Sequence, residues 1–555
     1  MSRWIRLLTT ATTATTAVTV RGAYMAVSAF ILGSCADAEH AVYGAAPVGA
    51  STVEAAEPTE RNCEQRNPSV EVTADPSAEV AANSSVVYSL TVTNRDDPSC
   101  PPTQFLGSGT PPLESPTFRI EPASFRTPEL AGGERVTVPV SVTSGAEEEP
   151  GSYAVSFFVR TSQTDGSALG SVRASQAVAT YRVQEPGGCH VTPSRSLLIR
   201  HTSVVEDPVR TSNADGGVWT FGHLLQQLAT SAPAPGNDAA RVAEALFRSY
   251  TLPQLINGFE VAARSGMERR VLTPWPRTSD GKLDLTLAPL RLLAIVHRLD
   301  LAEQNPGFAG EGRFVFGVLD RSGASLLFTL IVEYLLQGEP RDWARSVHAL
   351  EAQVFPSEAY NRALADLTER YVRPDWTAPN PTGAALVRVR SNENALGQDG
   401  RWQMRELHWS QGSGLFEPAG LALTPDASWN HSAQLAHFIE QRQDSILTET
   451  HTVPARLDAQ PFQAGAVFNV LDPWDAPGIA SPQARRLFSL NTCDGCHGGE
   501  TFTAFFHVFP RTPGMPSQLS GFLTGTKVRE PATGEERAYG ELARRRQLLE
   551  RIVCE

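Results

Sequence analysis

Lysine is almost absent. Lys282 and Lys527 are the only two among 47 basic residues, so arginine carries nearly all the positive charge. That bias reflects coding composition more than function. Acidic residues outnumber basic ones, 60 to 47, for a net charge of −13. A surplus of this sign disfavours nucleic acid or an anionic membrane surface as the main partner. Beyond the first residues no apolar run is long enough to cross a bilayer. There is no repeat of fixed period, and no Ser-His-Asp order or paired-carboxylate pattern stands above background. Cysteine is scarce, at seven residues. What remains is ordinary for globular protein, 41% hydrophobic and 19% charged, and 555 residues suffice for about three domains.

Arg3, Arg6 and Arg21 precede a short apolar run, "AYMAVSAFILG" (23–33), which ends in "LGSC", Leu32 to Cys35. A Thr-rich stretch before Arg21 makes the leader long. The run is too short for a stable membrane span and reads as a signal peptide, residues 1–34. "LGSC" resembles the bacterial lipobox. The resemblance implies cleavage before Cys35 and attachment of diacylglycerol to its sulfur, an effectively permanent membrane anchor. Ala36, not Asp, follows the cysteine, which in proteobacterial lipoproteins favours the outer membrane. Residues 35–62 are Ala-, Glu- and Pro-rich without hydrophobic period and read as a flexible tether.

Residues 63–186 alternate apolar and polar residues in "SVVYSLTVTN" (85–94), "ERVTVPVSVTS" (134–144), "SYAVSFFVRT" (152–161) and "AVATYRV" (177–183). Turn signals separate these runs, so an all-β sandwich is expected. "CEQRNPSVEVTADP", "YSLTVTNRDDPSCPP" and "FRIEPASFRTPELAGGERVTVPVSVTS" resemble the immunoglobulin-like, NEW3-like modules of secreted bacterial proteins. Related modules often carry cysteine where Cys63 and Cys100 stand, which implies a disulfide between them. Such modules space or adhere; glycan or protein binding is the alternative use.

Residues 187–470 mix periods, and an α+β domain of unassigned role is expected. "NDAARVAEALFRSY" (237–250), "PRDWARSVHALEAQV", "SEAYNRALADLTERY" and "SAQLAHFIEQRQDSIL" (432–447) read as helices. "LAPLRLLAIVHRLDL" (287–301) reads as a buried helix. "GRFVFGVLD" (312–320), "SLLFTLIVEYLL" (325–336), "AALVRVRSNE" (384–393) and "WQMRELHWS" (402–410) read as strands. "GEGRFVFG" (310–317) leads into a strand rather than a helix, fails the phosphate-loop context, and reads as a turn before a core strand.

Residues 471–555 hold "SLNTCDGCHGGET" (489–501), with a Ser–Pro helix start before it and an amphipathic helix, "YGELARRRQLLERIVCE", after it. At this composition Cys-x-x-Cys-His arises by chance in roughly 0.002 of such chains. Cys493 and Cys496 match the spacing of two haem vinyl groups, and His497 stands where a proximal iron ligand belongs. Gly495, Gly498 and Gly499 let backbone approach a porphyrin. The segment resembles small class I cytochromes c. That implies a mostly helical unit, one covalent haem c, and a distal ligand from Met515 or His507, with the Met-Pro pair favouring Met515 on family grounds. Only 58 residues follow His497, which is short for that family. A zinc site would need a fourth ligand and an awkward adjacent Cys-His pair. A thioredoxin-like dithiol would need a βαβ context that the residues do not supply. A plain disulfide remains a further reading.

With Cys35 lipidated and Cys493 and Cys496 on haem, four cysteines remain, an even number suited to two disulfides in an exported chain. If Cys63 joins Cys100, Cys189 joins Cys554. His297 reads as a core or helix-end histidine; His348, His408, His431 and His437 show no ligand spacing. Trp402, Trp409 and Trp429 read as core aromatics, with a haem-lining role as the alternative. Arg544 to Arg546 read as a solvated face or a dock for an acidic redox partner. Whole-chain likeness to uncharacterised bacterial lipoproteins ending in Cys-x-x-Cys-His adds no activity. The expected function is single-electron transfer by an exported haem lipoprotein with an unidentified redox partner. The alternatives are a surface-binding lipoprotein with a bridged Cys-x-x-Cys, and a peroxidase-like enzyme using an open iron site.

Overall fold

The computed structural model describes residues 63–554 except 74–78, 113–116, 146–147, 149, 163–172, 185–186, 232–237, 305–306, 374–385, 398–400, 411, 469–471 and 504. The signal peptide, Cys35 and the tether, residues 1–62, lie outside the described residues. Several domains are present, built mostly from β-sheets.

The first domain is a two-sheet sandwich. Its strands are β1 (Ser69–Thr73), β2 (Glu79–Val80), β3 (Ser85–Thr93), β4 (Phe105–Thr110), β5 (Arg119–Glu121), β6 (Ser124–Arg126), β7 (Arg135–Thr143), β8 (Gly151–Thr161) and β9 (Ala174–Val183). One sheet runs β1-β3-β7-β5, the other β2-β9-β8-β4-β6. Period two decides the packing: Val86, Tyr88, Leu90 and Val92 of β3 turn inward to meet Val155, Phe157 and Val159 of β8. Each such side chain contributes roughly 1.5–3 kcal/mol on burial. Cys63 and Cys100 are bonded and tie the segment before β1 to the turn after β3.

The second domain is organised by an eight-stranded sheet. β10 (Leu198–Ile199), β11 (Leu290–Arg298), β12 (Phe308–Leu319), β13 (Ser325–Gln337), β14 (Leu386–Glu393), β15 (Gln403–Ser410) and β16 (Leu415–Ala419) follow one another across it, and β17 (Val467–Phe468) pairs with β15. Two expectations need correction. Residues 287–301 do not form a helix: Leu290–Arg298 is strand β11, buried on both faces. A continuous apolar run reads the same in either state, and length and β-branching should have decided it. "GEGRFVFG" is not a turn but lies inside β12, where a register shift between Phe308 and Glu311 accommodates Gly310 at φ +107°.

One face of this sheet is covered by α1 (Phe221–Ser231), α2 (Ala239–Arg248), α3 (Pro340–His348) and α4 (Glu358–Val372), which share a core with Phe314, Phe316, Leu330 and Val332. On that face Gly312 leaves a place that the Tyr371 ring fills. The opposite face alternates differently. It carries Glu311 and Arg313 from β12, Glu333 from β13, Arg388 and Arg390 from β14, and Glu406 from β15. Arg388 pairs with Glu311 at 2.9 Å and with Glu333 at 2.8 Å, and Arg390 pairs with Glu406 at 3.0 Å. Three carboxylates meet three guanidinia, so the buried charges cancel.

Most of the described residues of 472–554 lie on this charged face. They hold α7 (Pro482–Asn491), a hairpin of β18 (Thr526–Arg529) and β19 (Glu536–Tyr539), and α8 (Glu541–Val553). The segment does not close a core of its own. Leu523 and Phe522 pack on Ala294, Val296 and Val315 of the sheet, while Leu549 joins the helix-side core. Phe488 packs with Leu435 and Phe438 of α5 (Ala433–Gln441) and with Ile446 of α6 (Gln443–Leu447). The segment's apolar residues instead join clusters shared with the elements it docks on. Cys554 is bonded to Cys189, 365 residues earlier.

Glu333→Gln should cost about 3–5 kcal/mol in chemical denaturation, because it strands buried guanidinium charge. Glu536→Gln, which breaks an exposed pair with Lys527, should cost under about 1 kcal/mol in the same assay.

Candidate functional site

Ser481 caps α7 by accepting from the Ala484 amide at 3.1 Å, and Pro482 opens the helix. The helix ends at Asn491, and the Thr492 hydroxyl accepts from the Gly495 amide at 3.0 Å, which starts the turn that carries the motif. A Cβ on Gly495 would lie 1.9 Å from the Ser489 carbonyl oxygen, so only glycine fits there. Beside this turn Arg485 is buried between Glu500 and Glu530, at 2.5 Å and 2.6 Å, which fastens the end of the motif to α7 and to the hairpin.

Cys493 and Cys496 are not bonded to each other or to another cysteine. Cys493 packs with Trp402 and Met404, and its amide donates to the Thr424 hydroxyl at 2.9 Å. Cys496 packs toward the sheet cluster of Val296 and Val315. Burial pushes their thiols up, to about 11 for Cys493 and about 12 for Cys496, so both stay protonated at neutral pH. The Cys496 Sγ lies 3.3 Å from Nε2 of His507, and Nδ1 of His507 lies 2.9 Å from the Ser520 hydroxyl.

His497 Nδ1 donates to the Phe505 carbonyl at 2.6 Å, which fixes the tautomer and leaves Nε2 as the lone-pair nitrogen. Burial lowers its pKa to about 4, so the ring is neutral, as a metal ligand must be. Trp402 stacks on it with centroids 5.4 Å apart, and the His507 ring lies 4.1 Å away. Asn392 organises this wall: its side-chain oxygen accepts from the Trp402 indole and its amide donates to the Phe505 carbonyl at 3.1 Å.

The structure thus gathers Cys496, His497 and His507, with Cys493 in the neighbouring cluster. Met515, the other distal candidate, is 37% exposed, in a turn whose Gly514 amide donates to Glu206 at 2.8 Å. Trp402 is not merely a core aromatic but lines the motif; Trp409 packs on Phe416 and Trp429 on Phe462. His297 is buried in β11 with Nδ1 on the Ser196 carbonyl. His348 lies beside Cys189, His408 on Glu406, His431 on Asp472 and His437 on Gln441. Arg544 pairs with Glu541, as does the largely buried Arg545. Asn392, Arg390, Thr424, Ser520 and the Phe505 carbonyl carried no sequence signal, because only the sheet register and the docking of the segment bring them here.

A covalent haem needs two uncommitted thiols three residues apart and an imidazole with one free nitrogen. Cys493, Cys496 and the Nε2 of His497 fit those needs. The rings of Trp402 and His507 fill the space against His497, so they would have to part to admit a macrocycle. Among the described residues no three His, Cys, Asp or Glu side chains converge on a metal position.

No family model matches the chain, and no curated protein matches it. Among solved structures, the PapD-like domain 7 of human CEP192 is 12% identical and covers 25% of this chain and 96% of its own, at a TM-score of 0.17. The periplasmic chaperone SfaE is 16% identical over 23% of this chain and 62% of its own, at 0.14. A conjugative transposon lipoprotein from Bacteroides eggerthii is 8% identical over 20% of this chain and 95% of its own, at 0.13. Likeness at this level bears on neither fold nor function.

Two measurements follow from the burial. In colourless protein, iodoacetamide at pH 8 should leave Cys493 and Cys496 unmodified in the native state and alkylate both in guanidinium, read by peptide mass spectrometry. His451, buried against Phe488 with centroids 5.7 Å apart, has its pKa lowered to about 4 by burial and by Arg442. The unfolded chain therefore binds the proton first, and stability is lost as pH falls from about 6.5 towards 4. His451→Phe should flatten that limb by up to about 3 kcal/mol in denaturation curves taken across the range.

Proposed function

We propose that the chain is an exported lipoprotein that carries one covalent c-type haem on Cys493, Cys496 and His497 and passes single electrons to an unidentified redox partner. The observation that carries this reading is the state of the motif. Four described cysteines pair as Cys63–Cys100 and Cys189–Cys554, while Cys493 and Cys496 stay unbonded beside an imidazole already oriented through Nδ1. Haem supplies an iron that shuttles between two oxidation states. The chain's own residues bind and orient it, exclude water with Trp402, and tune it through axial ligation. His507, rather than Met515, would supply the group's second ligand, because its ring is the imidazole nearest His497 while Met515 lies in an exposed turn.

The remaining parts belong to the same reading. The leader and Cys35 anchor the chain to the outer membrane, facing periplasm or cell surface. The NEW3-like, immunoglobulin-type module holds the haem-bearing body away from it, and the class I cytochrome c resemblance applies to the motif rather than to the packing of residues 471–554.

Protein matured in a haem-attaching host should stain for haem after denaturation, and the peptide holding Cys493 and Cys496 should carry the mass of one haem. His507→Ala should replace the low-spin spectrum with a high-spin one that binds carbon monoxide, while Met515→Ala should leave the spectrum unchanged. Colourless protein with Cys493 bridged to Cys496 would instead leave the surface-binding alternative.

A further inference from the structure

Strands β14 and β15 also place four polar side chains on the helix-covered face, opposite the motif. Ser391 pairs across the ladder with Arg405, and Glu393 with Gln403. Their neighbours Phe328 and Leu330 on β13 belong to the apolar core, so the polar group is set into hydrocarbon. Arg405 is 2% exposed, and Gln403 and Glu393 are fully enclosed. Tyr250, beyond the end of α2, covers Arg405, with the guanidinium carbon 4.9 Å from the ring centroid. Arg264 completes the group, its Nε 2.5 Å from Glu393.

The charges here do not cancel, in contrast to the other face of the same sheet. Arg264 and Arg405 supply two cations and Glu393 one anion. The carboxylate is already committed, to Arg264 and to the Leu396 amide at 2.9 Å. Arg405 uses Nη2 on the Ala262 carbonyl at 2.5 Å and Nε on the Gln403 side-chain oxygen at 2.8 Å. Its Nη1 has no hydrogen-bond partner, and neither has Gln403 Nε2. The Ser391 and Tyr250 hydroxyls lie within reach of each other, so one proton of that pair is left to donate. Native interiors rarely leave one such group unmet, and two unmet N–H groups with a spare hydroxyl proton around a surplus cation mark a place built for an acceptor. Burial and the nearby Arg264 also hold the Arg405 pKa below its ordinary value, the electrostatic mark of a cation short of counter-charge.

We propose that Arg405 Nη1, Gln403 Nε2 and the Ser391–Tyr250 hydroxyl pair bind one small monovalent anion of the halide or nitrate class. A monoanion balances the group's formal charge and accepts from every unmet donor, whereas a dianion would reverse the imbalance. The site does not depend on haem. It does bear on the motif's surroundings, because Asn392 and Met404 alternate with these residues and face Trp402 and Cys493 from the other side of the same two strands.

The test uses the full chain in bromide. Crystals soaked in sodium bromide should give an anomalous peak within hydrogen-bonding distance of Arg405 Nη1 and Gln403 Nε2. The thermal midpoint should rise with chloride at constant ionic strength made up with gluconate, as expected for a ligand that binds only the folded state. Arg405→Met leaves the Arg264–Glu393 pair balanced, so it should fold and lose the chloride dependence. Gln403→Leu should weaken it, and serves if Arg405→Met does not fold. A site holding only ordered water in bromide crystals, or a midpoint indifferent to the choice of chloride or gluconate, overturns the proposal.

Discussion

Charge neutrality inside the eight-stranded sheet is the constraint on which the rest depends. Glu311, Glu333 and Glu406 are buried within reach of Arg313, Arg388 and Arg390, which are themselves mostly covered. Each charge is tolerable only because its partner lies on the adjacent strand, so register and neutrality are the same requirement. A slip of one residue on β14 would send Arg388 and Arg390 into the aromatic core and bring Val389 up among carboxylates. The lattice thereby fixes where Asn392 and Trp402 fall, and through them the position of the Phe505 carbonyl and of His497.

The two faces of β14 and β15 divide the work. One carries the neutral lattice and receives the Cys-x-x-Cys-His segment. The other carries Arg405 and Arg264 against a single carboxylate. The same alternation that makes a strand amphipathic separates, by one residue, a balanced buried network from an unbalanced one. Two members of the lattice act on the motif directly: Arg390 opposes the rise that burial imposes on the Cys493 thiol, and Glu406 adds to it.

Much of this was legible in the sequence, for reasons that can be named. The sandwich strands could be read because β3, β7 and β8 each bury one face only, so alternation survives in the residue order. Helix α2 could be read from its Asp238 cap, and β12 and β13 from apolar runs at strand length. Strand β11 was misread because both its faces are covered, which erases period. The motif was plain because its chemistry is local, spanning five consecutive residues. Its surroundings were only partly so: His507 stood as a distal candidate ten residues on and Trp402 as one of three possible lining aromatics, whereas Asn392 and Thr424 reach it from elements whose separation along the chain says nothing of their distance. Arg545 looked like part of a solvated basic run, yet it is only 7% exposed, turned inward against Glu541.

The partial enclosure of Cys493 and Cys496 also favours an order of events. Once the segment has settled on the sheet, Cys493 lies against Trp402 and Met404 and the Cys496 sulfur against His507, each half-buried. A bulky group bound for both sulfurs is received more readily before residues 472–554 dock than after. The Cys189–Cys554 bridge then ties the far end of the docked segment to the start of the domain beneath it.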